Sequence, residues 1–209
     1  LFLDETLEFG RSVLQGLREP LELGRIRISR AGRHYWFPAL FQLFLAANPC
    51  ACGNLARRDR ECLCSVLEVE RYWRRLGGPL LDRLDLRVWA GSEPVGSLPR
   101  TSSSAEMRSR IRCAVEMRRS RTGQGEAWLS RSRVEPYPEL ERQMTVQARR
   151  DLRTAAERLG FSSRAAVSVT RVARTIGDLG ESESIRPDHV LEAVFYRRRG
   201  EDQPLWWSG

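Results

Sequence analysis

Two groups of residues in this sequence are placed to do chemistry. Leu1-Phe2-Leu3 is an apolar run that ends in consecutive acids, Asp4 and Glu5. A strand ending this way sets two carboxylates at the carboxyl edge of a sheet. One can hold the shell of a magnesium ion beside a phosphate, and its neighbour can polarise an attacking water. The plainer reading is that acids follow a strand because solvent begins there, and taken alone the string reads that way. Further along, Cys50-x-Cys52 and Cys62-x-Cys64 form two close pairs separated by a loop containing Gly53 and several charges. Four thiolates so arranged offer the tetrahedral set that zinc prefers, although CxC is tighter than the common CxxC; reduced cysteines or a disulfide pair are the other readings. Cys113 stands alone in an arginine-rich stretch and is expected to pack.

The elements that must carry these groups follow from the hydrophobic pattern. After Glu5, residues Val13, Leu14 and Leu17 keep helical spacing until Pro20 and Gly24, so the order is strand, acidic end, helix. Arg25 to Ser29 alternates polar with apolar residues, Ala31-Gly32 supplies a turn, and His34 to Phe37 favours a second strand. This predicts a β-hairpin with Arg30 and Arg33 flanking its turn. Phe41 to Ala47 reads as a buried apolar run stopped by Asn48-Pro49, and a further strand is predicted over Leu84 to Trp89. Gly91, Pro94, Gly96, Pro99 and the Thr101 to Ser104 run mark a connector. The predicted division is therefore 1–90, a linker over 91–104, a helical domain over 105–200 and a tail over 201–209. In the second half, Leu140 to Leu159, Ser163 to Leu179 and Pro187 to Arg197 read as helices, and Arg108 to Arg121 as a strongly basic one.

Composition bounds the class. With 209 residues and 41% hydrophobic content the chain can bury a real core. All 35 basic residues are arginine and the formal net charge is +8, which suits a polyanion such as nucleic acid or nucleotide; a GC-rich coding bias explains the arginines equally well. No apolar run approaches the length of a membrane span, and the first residues read as a strand rather than a signal peptide. A cytoplasmic location without membrane contact is the expectation.

Read in order, LFLDE, PLELGRIRISRAGRHYWFPA, FQLFLAANPCACG, GGPLLDRLDL, LGFSSRAAVSVTRVARTIGDL and IRPDHVLEAVFYR resemble the ComM branch of the magnesium-chelatase-like AAA+ ATPases over nearly all of residues 1–197. The fold this resemblance implies is α/β plus all-α. It would be a truncated AAA+ P-loop NTPase core, with its Walker A half missing, followed by a helical lid. By the same resemblance Asp4 is the Walker B magnesium residue, and Glu5 orients or deprotonates water. Asn48 is sensor 1, Arg83 is the arginine finger that reaches a neighbouring subunit's nucleotide, and Arg164 is the sensor 2 residue of the lid. Arg171 and Arg174 on the same helix are the alternatives for that last role. A planar arginine suits phosphoryl transfer because it contacts two oxygens without losing its charge; an ion pair with Asp82 or Asp85 is the plainer reading of Arg83. The resemblance also implies ATP and Mg2+ as cofactors, a hexameric homo-oligomer ring, and DNA as partner. The hairpin would then offer Arg30 and Arg33 to a phosphate backbone, unless it is simply a solvated charged tip.

The sequence departs from the family pattern at Thr6-Leu7, where Leu-Pro is usual, at Ala51, where proline is usual, and over Ala166 to Ser168. No GxxxxGK[ST] occurs and the chain has no lysine, so residues 1–209 alone cannot cradle the β- and γ-phosphates and are expected to be inactive by themselves. Beginning at Leu1 inside a strand, the sequence reads as part of a longer protein. Its function is expected to be ATP hydrolysis coupled to DNA remodelling or branch migration. The alternatives are the motor subunit of magnesium chelatase, which the NPCACG and CLC blocks fit less well, and a non-catalytic zinc and nucleic-acid-binding fragment.

Overall fold

The computed structural model describes residues 1–55, 57, 59–90, 102–123 and 135–198. They form two compact units, residues 1–84 and a helical unit that begins at Asp85. In chain order the first unit runs β1 (Phe2–Leu3), a 3-10 turn (Thr6–Glu8), α1 (Arg11–Gly16), α2 (Arg18–Leu23), β2 (Arg25–Arg30), β3 (Arg33–Pro38), β4 (Phe44–Leu45), α3 (Val66–Trp73) and α4 (Gly78–Leu81). β1 pairs in parallel with β4, Phe2 opposite Phe44 and Leu3 opposite Leu45. β2 and β3 form the expected antiparallel hairpin, closed by Ala31 and Gly32 at positive φ.

The core of this unit is helical. Leu7, Leu14 and Leu21 recur every seven residues and meet Tyr72, Leu76 and Leu80. Leu7, Leu14 and Leu80 are fully buried, each contributing about 2 kcal/mol over an exposed leucine. α2 stops at Gly24, whose φ of 64° strains any residue with a Cβ; a Cβ there would also displace the Leu40 side chain. α3 starts from a reciprocal cap: the Ser65 hydroxyl accepts from the Glu68 amide while the Glu68 carboxylate accepts from the Ser65 amide.

The helical unit comprises α5 (Ser104–Thr122), α6 (Tyr137–Arg142), α7 (Val146–Leu159), α8 (Ser163–Leu179) and α9 (Pro187–Arg198). α8 presents Ala165, Val169, Ala173 and Gly177 to the interior at four-residue spacing. These small residues let neighbours approach: a Cβ on Gly177 would lie 2.8 Å from an Arg174 nitrogen and 3.1 Å from His189 Nδ1. Val169 and Ala173 pack with Met144, Leu152, Ile185 and Val190 as the unit's core.

Three expectations need correction. Leu84 to Trp89 is not a strand. Its burial is inverted relative to the alternating pattern: Leu86 is 57% and Val88 72% exposed, whereas Arg87 is buried. The segment is held by polar contacts, the Arg87 amide donating to Tyr196 O at 3.0 Å and the Ser168 hydroxyl to Asp85 at 2.5 Å. Phe41 to Ala47 contains only a two-residue strand, with Phe44 57% exposed, so the run is half outside the core. Leu140 to Leu159 is two helices, because Thr145 caps α7 and Met144 forms a parallel bridge with Ile185. The connector expected over 91–104 lies outside the described residues up to Thr101, and the tail over 201–209 lies outside them entirely.

Candidate functional site

The β1–β4 ladder decides where the acids go. Phe44 N–H donates to Leu1 O and Ala46 N–H to Leu3 O, both at 2.9 Å; Thr6 N–H then donates to Ala46 O at 2.8 Å. Parallel strands share a carboxyl edge, so Asp4-Glu5 and the Ala47-Asn48 segment leave the sheet at the same end. Asp4, Glu5 and Asn48 are all exposed. Glu5 sits in the left-handed region at φ 46° and ψ 42°, a conformation that costs a non-glycine residue about 1 kcal/mol and that gathers at functional sites. Its amide donates to Asp4 Oδ1 at 2.9 Å, and behind the pair the buried Thr6 hydroxyl donates to Leu3 O at 2.9 Å. Among the described residues neither acid has an ion-pair partner. Two carboxylates and an amide thus stand open to solvent at one sheet edge.

Arg83 follows α4 and is only 11% exposed at its side chain. It pairs with Glu22 rather than with Asp82 or Asp85, and its Nη1 donates to Pro79 O at 2.6 Å. Arg164 lies in the helical unit, exposed on the first turn of α8, where the Ser162 hydroxyl accepts from Ala165 N–H at 3.1 Å. Of its two alternatives Arg171 is also exposed, but Arg174 is buried. Arg174 Nε donates to Asp178 at 3.2 Å and its Nη groups to the carbonyls of Ser182 and Glu183. Asp178 also receives both Nη groups of Arg121, at 2.7 and 2.9 Å, and Arg121 reaches Glu135 at 3.0 Å. Burial pushes the Glu135 carboxyl up, but the hydrogen bonds from Arg121 and Gln143 outweigh it and hold it below the usual range. That cluster cross-links α5 and α8 and is structural.

The hairpin is exposed along its whole length. Its register places Ile26, Ile28 and Arg30 on the same face as Phe37, Tyr35 and Arg33. On the other face the Arg25 guanidinium lies over the Trp36 ring, 4.2 Å from its centroid. Each tip arginine thus stands beside aromatic and aliphatic surface.

The four cysteines of the two pairs converge: one ligand atom from each of Cys50, Cys52, Cys62 and Cys64 lies within 4.8 Å of every other. Cys50 is fully buried and Cys113 takes no part. An Asn54 backbone hydrogen bond and the Cys50 thiol bring Cys52 down to about 6, whereas burial pushes Cys62 up to about 12. Next to this cluster the Trp73 indole N–H donates to Pro49 O at 3.0 Å, tying α3 to the residue after Asn48. That contact has no signature in the sequence, and α3 itself was not expected, although the Ser65-x-x-Glu68 spacing is the local signal for its start.

Two family descriptions match this chain. Residues 1–97 match the family described as magnesium chelatase, subunit ChlI, and residues 101–197 match its C-terminal counterpart. The chain belongs to the ComM/YifB type of magnesium-chelatase-like AAA+ proteins. It is 38% identical over 201 residues to competence protein ComM of Haemophilus influenzae, and 37% identical over 201 residues to the uncharacterized protein YifB of Escherichia coli. An uncharacterized protein of Mycobacterium tuberculosis is 37% identical over 206 residues. These alignments cover 94 to 96% of this chain but 38 to 40% of the relatives, so the chain spans about two fifths of their length. Among the described residues no helix is long and apolar enough to cross a membrane.

Proposed function

We propose that this chain is part of an ATP hydrolase that acts as a homo-oligomeric ring, a hexamer, on DNA. The observation that carries the reading is the parallel β1–β4 register, which brings Asp4-Glu5 and Asn48 to one open sheet edge. In this reading Asp4 holds the magnesium of the nucleotide and Glu5 orients or deprotonates the attacking water. The Asn48 amide hydrogen-bonds the terminal phosphate or that water. The ion supplies charge neutralisation at the phosphate oxygens. Arg164 contributes a cation from the helical lid. Arg83 serves a neighbouring subunit, exchanging Glu22 for a phosphate.

Exposed apolar side chains on β1 and β4, and on Leu1 just before β1, support a larger core. Leu1, Phe2 and Phe44 are 53%, 64% and 57% exposed, as expected of a sheet face that further chain covers. The phosphate-binding loop, which needs a lysine these residues lack, belongs to that further chain. DNA as the polymer is supported by the hairpin, where Arg30 and Arg33 share a face with Tyr35 and Phe37, the pairing of cation and stacking surface that single strands favour. One rival reading, in keeping with a family described as a magnesium chelatase subunit, is a motor that serves a chelatase partner.

Hydrolysis by the complete protein tests the site. Glu5→Gln is expected to lower turnover by about 100-fold or more while ATP still binds, and Arg83→Ala to lower it only in the assembled form. Unchanged turnover in either variant overturns the assignment. Stimulation by single-stranded or branched DNA favours the DNA reading, and stimulation only by a porphyrin-metallating partner favours the rival.

A further inference from the structure

The cysteine cluster does not depend on the nucleotide reading. Cys50 Sγ lies 3.3 Å from Cys52 Sγ and 3.7 Å from Cys62 Sγ, and Cys52 Sγ lies 3.6 Å from Cys62 Sγ. A Zn–S bond of about 2.3 Å sets the edges of a tetrahedron of sulfurs at about 3.8 Å, which these distances approach. A disulfide would draw two sulfurs to about 2.05 Å and leave the others outside. Here Cys50 is shared between Cys52 and Cys62, so the sulfurs are a cluster, not two pairs. The Leu55 amide is directed at Cys50 Sγ from 3.4 Å, a contact that favours the thiolate and recurs around metal-bound sulfur.

We propose that Cys50, Cys52, Cys62 and Cys64 bind one zinc ion, and that this ion holds the chain between Asn48 and Ser65 in place. Among the described residues of that stretch there is neither helix nor strand, and Leu63 is 86% exposed, so apolar burial does little to order it. The metal replaces the missing core. Its first ligand lies two residues after Asn48, and its last directly precedes the Ser65 cap of α3. The ion therefore joins the exit of β4 to the start of α3, a junction the Trp73 to Pro49 hydrogen bond also closes. Binding is an acid–base exchange without redox change: one Zn2+ and four thiols give a Zn(thiolate)4 centre of charge 2− and four released protons.

Metal analysis of the full-length protein, purified under reducing conditions, tests this. About one zinc per chain is expected. Cys113→Ser should leave that content unchanged, and Cys50→Ser or Cys62→Ser should bring it below about half. Should those variants fail to fold, an organomercurial titration of the unmodified protein should release zinc in step with loss of four thiols. Glu5→Gln should keep its zinc, so failure of the ATPase reading would leave this result standing. Native protein without zinc, iron as the bound metal, or a disulfide between any two of the four cysteines by mass would each overturn the proposal.

Discussion

Asp4 and Glu5 at the end of β1, and Asp178 and Glu135 in the helical unit, are the same two residue types in opposite circumstances. The first pair is exposed, has no ion-pair partner among the described residues, and sits on a backbone held at positive φ. The second pair is 6% and 12% exposed at the side chain, with oxygens that accept from Arg121, Arg174 and Gln143. A carboxylate whose hydrogen-bonding capacity is filled by its own fold stabilises that fold. One left open by its fold is available to a ligand. The arginines divide by exposure too: Arg30 and Arg33 are exposed, and Arg121 and Arg174 are enclosed.

That contrast can be broken at several points. The largest effect is expected from Asp178→Ala, which leaves the buried Arg174 and the part-buried Arg121 without their shared acceptor. Urea unfolding of the helical unit should show a loss of about 3 to 5 kcal/mol, and a loss under about 1 kcal/mol would mean the cluster is not structural. Acid provides a second probe. Because the folded state holds Glu135 below its ordinary value, its contribution is present above about pH 4.3 and disappears as pH falls through the lower folded value. Glu135→Gln should flatten that acid arm of the stability curve, and an unchanged arm would show that other carboxylates set it.

On the open side the expected sign reverses. Glu5→Gly relieves the left-handed backbone and should raise stability by about 0.5 to 1 kcal/mol while abolishing hydrolysis in the complete protein. If the variant is less stable, Glu5 is a structural residue. Smallest of all in stability terms is the hairpin tip. Arg30→Gln and Arg33→Gln should each stay within about 0.5 kcal/mol of the parent and reduce the salt slope of DNA binding by about 1. A slope identical to the parent's would make the tip a solvated turn.

Much of the architecture was legible because local rules act on neighbours. The hairpin followed from alternation around Ala31-Gly32, and the helical second half from 3.6-residue spacing with Ser162 as a cap. Leu84 to Trp89 misled for a reason local rules cannot see. Its alternation was that of a strand, but the segment bonds to Tyr196 and Ser168, more than eighty residues away. The pairing of Arg83 with Glu22, 61 residues apart, was invisible for the same reason.

What the sequence determined by itself was which residues could do chemistry: an acidic strand end, two close cysteine pairs and a hairpin with basic shoulders, each encoded within a few positions. The tertiary structure alone decided which of them meet. Only pairing of β1 with β4 sends Asp4, Glu5 and Asn48 out of one edge, and only the fold of the 48–65 loop brings Cys50 and Cys52 to Cys62 and Cys64. It also decided which charges remain open, since Asp178 becomes structural through its donors, Arg174 one turn away on its own helix and Arg121 57 residues away on α5.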